Sequence, residues 1–352
     1  MMQKLYRDFF ATHIRSSPMV PRIFASAKNI AKNILTIVVS LGVIHSFTWA
    51  AEQDEQASPP FSLSLQQKQV DVLDASSPLT SPRHRYQLII PSETRASYQW
   101  VLAHETPKKF RTSLTSSILA PQVDFSSEIP CIREQGDLGT CTAMSMVISL
   151  EYYYSKIKEQ TMKFSPLFVY YNERLLTHTI EEDIGASLTD AILAITVFGA
   201  CQETTWPYID DKIKFKEKPS VEAYSEPREI FKGWSFKHTK LSNDVALIKH
   251  FLSQKNPVLC GINVFPSLET EETEKTGIIP MPSHHEIPIG AHAITLVGYD
   301  DTTQRFKFAN SWGRQWGENG FGYVSYDYIA NNNPQNLFLH THPGEVWRIK
   351  LA

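Results

Sequence analysis

Residues 135–145 read Gln-Gly-Asp-Leu-Gly-Thr-Cys-Thr-Ala-Met-Ser: a glutamine, a glycine-broken turn, then a cysteine at the threshold of an apolar stretch. Chemistry at a cysteine belongs to the thiolate. At an unperturbed pKa near 8.5, only about 3% of a thiol is ionised at pH 7. Two devices correct that deficit. A helix N-terminus favours the anion through its dipole and unpaired N–H groups, and a histidine can hold the proton as imidazolium. Cys141 stands where a helical pattern begins, so the first device is at hand. His292 supplies the second. It lies in Gly290-Ala-His-Ala-Ile-Thr-Leu-Val-Gly298, where glycine and alanines leave the ring uncrowded at the start of a strand, and a strand is a rigid mount for a base. Asn310, in Phe308-Ala-Asn-Ser-Trp-Gly313, falls on the next strand-like run and is suited to fix the histidine's tautomer. A hairpin between the two runs would set Asn310 beside His292, with Trp312 shielding their hydrogen bond from water. Alone, Cys141 reads as a buried structural thiol, because free Cys is among the most buried residue types. In this company it reads as a nucleophile.

The pattern of the chain supplies elements to carry these residues. From Cys141 to about Lys158, Met144, Val147, Ile148, Leu150 and Tyr154 give a helix with a wide apolar surface. Ser165-Pro166 opens a second helix with a capping residue and a proline at the first helical position. Ser187-Leu-Thr-Asp190 is a capping-box variant opening a third, with Gly199 placed as its C-terminal cap. Asn243 starts a fourth, which Pro257 halts. Beyond Pro257 the texture turns to short β runs, among them a hairpin around Asp300–Thr303. A helical first half and a β-rich second half predict an α+β enzyme with two lobes. The run Glu269–Lys275 reads as a solvated loop excursion, and Lys212–Lys218 as a mixed-charge surface segment.

With the residues laid out, a resemblance can be stated. The sequence resembles the papain-like cysteine peptidase family, in the bacterial-style branch with Cys-Thr-Ala at the nucleophile. Residues 120–125 (APQVDF) are similar to the start of the mature enzyme, and 130–143 (PCIREQGDLGTCTA) to the oxyanion-hole and nucleophile segment. Residues 183–192 and 199–208 are similar to the substrate-cleft turn, its helix and the segment after it; 290–301 and 308–324 are similar to the His and Asn segments. The interval of about 150 residues from Cys141 to His292 is near that of the family. The resemblance implies a helical lobe and a β-barrel-like lobe with the active-site cleft between them. It also implies roles: Cys141 attacks the scissile carbonyl, His292 exchanges the proton, Asn310 orients His292, and Gln135 with the backbone N–H of Cys141 stabilises the oxyanion. Gly185, Ala186 and Ser187 would border the extended substrate backbone, and Trp312 would wall the cleft. Two positions depart from the family pattern. Leu138 stands where many relatives have a cysteine, and Thr142 replaces the usual tryptophan on the leaving-group side.

The expected function is that of a cysteine-type endopeptidase working through a thioester acyl-enzyme. Two alternatives are a transamidase or other acyl transferase with the same triad, and a non-catalytic secreted binding protein on a peptidase scaffold. No cofactor is expected. His284-His285 and the other histidines and cysteines lack zinc spacing, so no metal is expected either. The formal net charge of -3, with no basic stripe, argues against a nucleic-acid partner. A peptide or protein substrate and a monomeric chain are the expectation.

Residues 1–50 hold six Lys/Arg and one acid, with the apolar run Ile34–Ala50 ahead of the acidic residues 51–55. That is an export signal, secreted or periplasmic in destination, or an uncleaved membrane anchor over residues 34–50. Residues 51–119 are rich in Ser, Pro and Gln and read as a linker or pro-segment, with one strand-like run at Tyr86–Ile90 and a short helix near Tyr98–His104. Residues 120–352 form the peptidase domain. Of the four cysteines, Cys260 reads as core; a Cys131–Cys201 bridge is an open alternative that spacing does not decide.

Overall fold

Fourteen consecutive residues of one helix, Cys141–Tyr154, are buried. A helix buried on every side lies inside the core, and this one, α1 (Cys141–Lys158), is the centre around which the protein is built. The structure, a computed structural model, describes residues 86–89, Gln99, Val101, 119–330 apart from Ser242 and His284, and 345–351. All of these fall in the unit Ser76–Ala352. The export or anchor reading of residues 1–50 and most of the 51–119 segment lie outside the described residues. Among those described, no helix is long and apolar enough to cross a membrane.

Helices α2 (Pro166–Thr177) and α3 (Leu188–Phe198) pack on α1. Both begin where the caps predict. Ser165 accepts from Phe168 N with Pro166 at the first position, and Ser187 and Asp190 form a complete capping box. The remaining helices are α4 (Val221–Ile230), α5 (Val245–Ser253), α6 (Glu271–Thr276) and α7 (Tyr326–Ile329). Two readings need correction. The cap of α5 is Asp244, which accepts from Leu247 N, while Asn243 sits outside in the left-handed region at φ 54°. The acidic run at Glu269–Lys275 is not a loop, because Thr270 caps it and its first turn carries Glu271, Glu272 and Glu274. Carboxylates there complement the helix dipole.

The sheet contains β1 (Gln122–Asp124), β2 (Phe236–Lys240), β3 (Val258–Val264), β4 (Gly290–Asp300), β5 (Arg305–Ala309), β6 (Phe321–Ser325) and β7 (Val346–Leu351). Its order is β2-β7-β3-β4-β5-β6, and every pairing is antiparallel. The long β4 pairs with β3 along its first half and with β1 along its second. Nine of its eleven residues are buried. The hairpin to β5 turns through residues 301–304, and Thr295 faces Ala309 across it. The chain is therefore an α+β protein with a helical and a β half. All four cysteines are free thiols; Cys131 and Cys201 are not bridged, and Cys201 instead packs with Phe168 and Ala223 in a small apolar cluster.

One buried ion cluster stitches the loop before α1 to the helices. Arg133 bonds Glu151 and the carbonyl of Phe164, and reaches Glu203 at 2.5 Å. Glu151 is fully buried, and that burial pushes its carboxyl up to about 7 despite Arg133 beside it. Removing one partner of such a pair leaves a charge with no water and no counter-ion, at a cost of about 3–5 kcal/mol. Arg133→Ala should therefore lower the urea midpoint by that order, whereas Arg133→Ala with Glu151→Leu should recover much of it; equal losses in the two variants would contradict the account.

Candidate active site

The site is assembled by three local structures. Cys141 is the first residue of α1. His292 is the third residue of β4, paired with Ile262 of β3. Asn310 directly follows β5, and since Thr295 faces Ala309, the hairpin register brings Asn310 back toward His292. His292 Nε2 lies 2.9 Å from Asn310 Oδ1. The backbone N–H of Ser311 donates to the same oxygen at 2.9 Å, so that atom is an acceptor and Nε2 carries the proton. Nδ1 is left as the basic nitrogen. Trp312 stacks on the imidazole with centroids 4.5 Å apart, and Trp316 meets Trp312 edge-on at 5.1 Å.

Gln135 is wholly buried. Its Nε2 donates to Leu138 O (3.0 Å), and its Oε1 accepts from Ser311 Oγ (2.7 Å). Its backbone exchanges with Ser311 O and Tyr208 OH, so the loop before the nucleophile is tied to the residue after Asn310. Across the cleft, Gly185 takes φ 80°, a conformation open to glycine. Asp183 links that turn to the nucleophile loop by accepting from Tyr170 OH (2.6 Å), Gly139 N (2.9 Å) and Lys212 Nζ (2.9 Å). Burial would raise its carboxyl, but these donors outweigh it and hold it below the usual range. Ala186 and Ser187 lead from this turn into α3. The structure thus gathers Cys141, Gln135, His292, Asn310, Trp312 and the 185–187 turn around one cleft. Among the described residues no group of three His, Cys, Asp or Glu side chains is arranged to hold a metal.

Three features of the site had no functional reading in the sequence. The run Tyr86–Ile89 lies in the cleft: Leu88 bridges Ala186 in parallel, Leu88 N donates to Ala291 O (2.9 Å), and Ile89 N donates to Ala186 O (2.8 Å). Tyr86 packs edge-on against Trp312 at 5.6 Å and hydrogen-bonds Glu269. The second feature is Glu173, whose carboxylate accepts from Thr142 Oγ1 at 2.9 Å directly behind the nucleophile. The third is Glu345, buried just before β7. The alternation of Tyr86–Ile90 predicted an extended run, but nothing local told where it would dock. Glu173 had a weak signal as a carboxylate among the apolar residues of α2.

These surroundings set the charge states. Burial pushes the Cys141 thiol up to about 12, with Glu173 adding to the rise, while N–H groups of Ala293, Gln87 and Thr142 oppose it. The thiol is fully buried and protonated at neutral pH. Burial likewise raises Glu173 and Glu345 to about 8.

The sequence and the fold have known relatives. A family model described as papain family cysteine protease matches residues 119–334, and the chain belongs to that family. It is 38% identical over 209 residues to an uncharacterized peptidase C1-like protein of Acanthamoeba polyphaga mimivirus, covering 57% of this chain and 66% of the viral one. Over 214 residues it is 27% identical to a cathepsin B-like protein of Giardia intestinalis, covering 58% and 67% of the two chains. The chain thus spans about two thirds of the length of these relatives. The crystal structure of xylellain, a cysteine protease from Xylella fastidiosa, superposes with a TM-score of 0.62 at 25% identity, covering 76% of this chain and 96% of that one.

The raised carboxyls make a pH prediction. A carboxyl whose folded pKa lies above its unfolded value binds protons in the folded state that it has lost in the unfolded one. Stability then rises as pH falls from about 8 toward the unfolded value near 4.3. The carboxylates held low contribute in the opposite direction only at more acid pH, while His250, held low by burial, opposes the rise within the window from pH 8 to 5 and Glu151 and Glu345 share in it, so the part due to Glu173 is read from the difference that Glu173→Gln makes. Urea midpoints should increase across the window, by the equivalent of at least about 1.4 kcal/mol, and Glu173→Gln should flatten the slope. A slope of opposite sign would refute the burial account.

Proposed function

We propose that the chain is a cysteine endopeptidase held latent by its own residues 86–89. The observation that carries the catalytic half is the His292–Asn310 pair beside a cysteine at a helix start. With Nε2–H fixed on Asn310, Nδ1 takes the proton from Cys141, and the thiolate–imidazolium pair replaces the neutral one once water and substrate enter the cleft. Sulfur then bonds to the scissile carbonyl carbon, and the oxyanion receives the Cys141 N–H and the Gln135 amide. The imidazolium returns its proton to the leaving amine as the C–N bond breaks. Water, deprotonated by His292, cleaves the thioester and regenerates the thiol. Asn310 and Trp312 keep the ring from turning.

The latent half rests on residues 86–89. Their backbone occupies the edge between Ala186 and Ala291 that an extended substrate would use. At the sulfur, Gln87 presents a backbone N–H where a substrate must present a carbonyl carbon. The segment therefore covers Cys141 without being a substrate for it, and by excluding water it keeps the thiol protonated. We assign residues 51–119 accordingly as a pro-segment, and retain for residues 1–50 the export reading.

Replacing Leu88 with Asp should eject the segment. At pH 6, iodoacetamide should then label Cys141 at least tenfold faster than in the unaltered chain, where half-exposed Cys131 should label first. Peptide hydrolysis should appear alongside, vanish in Cys141→Ala, and fall by about 10²–10³ in kcat on removal of the Gln135 donor by Gln135→Ala. An opened chain whose Cys141 labels no faster than Cys131 would sink the enzymatic reading.

A further inference from the structure

Between Gln135 and Cys141 the chain makes a loop that no covalent bridge supports, since all four cysteines are free thiols. Polar side chains hold it from outside. Asp137 N donates to Asp210 Oδ2 (2.9 Å), and Asp137 O accepts from Lys212 Nζ (2.5 Å). Tyr208 OH donates to Gln135 O (2.6 Å) and lies 3.0 Å from Thr140 Oγ1. One peptide unit of the loop, Leu138–Gly139, is gripped at both ends. Its carbonyl accepts from Gln135 Nε2 (3.0 Å) and from Thr140 N (2.8 Å). Its N–H donates to Asp183 Oδ1 (2.9 Å). A trans peptide is planar, so its N–H and C=O turn together. A carboxylate that fixes the one therefore fixes the direction of the other.

We propose that Asp183 is a positioning residue of the peptidase: it sets the Leu138–Gly139 peptide, and through the Leu138 carbonyl it aims the Gln135 amide at the oxyanion. The proposal rests on the peptidase reading above and adds a residue that acts on the reaction through Gln135. The Asp183 side chain is 8% exposed, and hydrogen bonds from N–H and O–H groups to a shielded carboxylate are among the stronger ones. Its two oxygens take different partners. Oδ1 accepts from Gly139 N and Tyr170 OH, while Oδ2 accepts from Lys212 Nζ. Lys212 is half-exposed, so the ion pair contributes little stability of its own; it balances the charge, and no bare anion stands beside the loop that must receive a second one. Tyr170 OH in turn accepts from Gly185 N (3.2 Å). The same carboxylate thus ties the loop before Cys141 to the turn on the opposite side of the cleft. The donors around Asp183 outweigh its burial and hold its carboxyl below the usual range, so both oxygens remain acceptors at neutral pH. Donors fixed before the reaction begins are what stabilise an oxyanion, and an amide displaced by about 1 Å loses much of that effect.

The full-length chain opened by Leu88→Asp provides the test. Adding Asp183→Ala should lower kcat for peptide hydrolysis by about tenfold or more, chiefly in kcat and not in KM. In a Gln135→Ala background the same substitution should cost less than about twofold, because the amide that it positions is gone; a merely structural residue would take the same factor from both backgrounds. Iodoacetamide should still label Cys141 quickly in Asp183→Ala, since alkylation forms no oxyanion, and that labelling shows that the folded site persists. Hydrogen exchange at the Gly139 amide should accelerate by about tenfold or more, and the side-chain amide resonances of Gln135 should move. If Asp183→Ala does not fold, Lys212→Met enters the same cycle; it removes the tie to Asp137 O and unbalances Asp183, and should cost about threefold in kcat, again only while Gln135 is present. The proposal is overturned if the losses from either substitution and from Gln135→Ala multiply, or if exchange at Gly139 is unchanged. An opened chain that hydrolyses no peptide would instead count against the peptidase reading, and Gly139 exchange with the Gln135 resonances would still decide whether Asp183 positions the amide.

Discussion

The whole arrangement depends on the seam between α1 and β4. Cys141 begins the helix and His292 lies near the start of the strand, and a pair of buried hydroxyls, Ser145 Oγ and Thr295 Oγ1, 2.8 Å apart, joins the two elements one turn further in. Thr295 Oγ1 also donates to the carbonyl of Ser145 at 3.1 Å. Both side chains are almost fully buried, where a hydroxyl without a partner is costly. Sliding or rotating the helix against the strand would break this pairing. The distance from sulfur to imidazole is thus set by the core and not by the loops that border the cleft. Preorganisation of this kind is what a reacting pair requires, because a displacement of about 1 Å at a site can cost orders of magnitude in rate.

Electrostatics runs through the same seam. Around the nucleophile the fold buries Glu173 and Asp190, and a little further away Glu345, Glu151 and Arg133. Arg133 pairs with Glu151 and Glu203. Glu173 and Glu345, which burial raises to about 8, are accommodated as acids, so neither adds a full negative charge behind the thiol at neutral pH. A charged Glu173 would oppose a thiolate at Cys141. Keeping it protonated leaves the helix N-terminus and the histidine free to favour the anion, which is how two groups of the same nominal charge type share one small volume.

Much of this was legible before any coordinates. The caps of α2 and α3 were plain because Ser165-Pro166 and Ser187-Leu-Thr-Asp190 are local signals, fixed by hydrogen bonds within a turn. The approach of Asn310 to His292 followed from a hairpin whose turn residues are equally local. What escaped was non-local. Nothing in Tyr86–Ile89 tells an edge strand from a segment docked between Ala186 and Ala291, because the same alternation serves both. Glu345 and Gly261 are 84 positions apart, and only the β3–β7 pairing shows that one lies over the other. The acidic run at Glu269 was misread for a different reason: its charge suggested solvent, and indeed most of it is exposed, but exposure does not preclude a capped helical turn.

Leaving every thiol unpaired has a consequence for handling as well as for architecture. A nucleophilic sulfur is lost to oxidation unless it is kept in a reducing medium, and in many small exported domains that same medium would cut the covalent cross-links on which folding depends. Here the described fold has no such cross-link to lose. Dithiothreitol or glutathione can guard Cys141, the proposed nucleophile, while the scaffold, held by packing, hydrogen bonds and a buried arginine, remains indifferent to them.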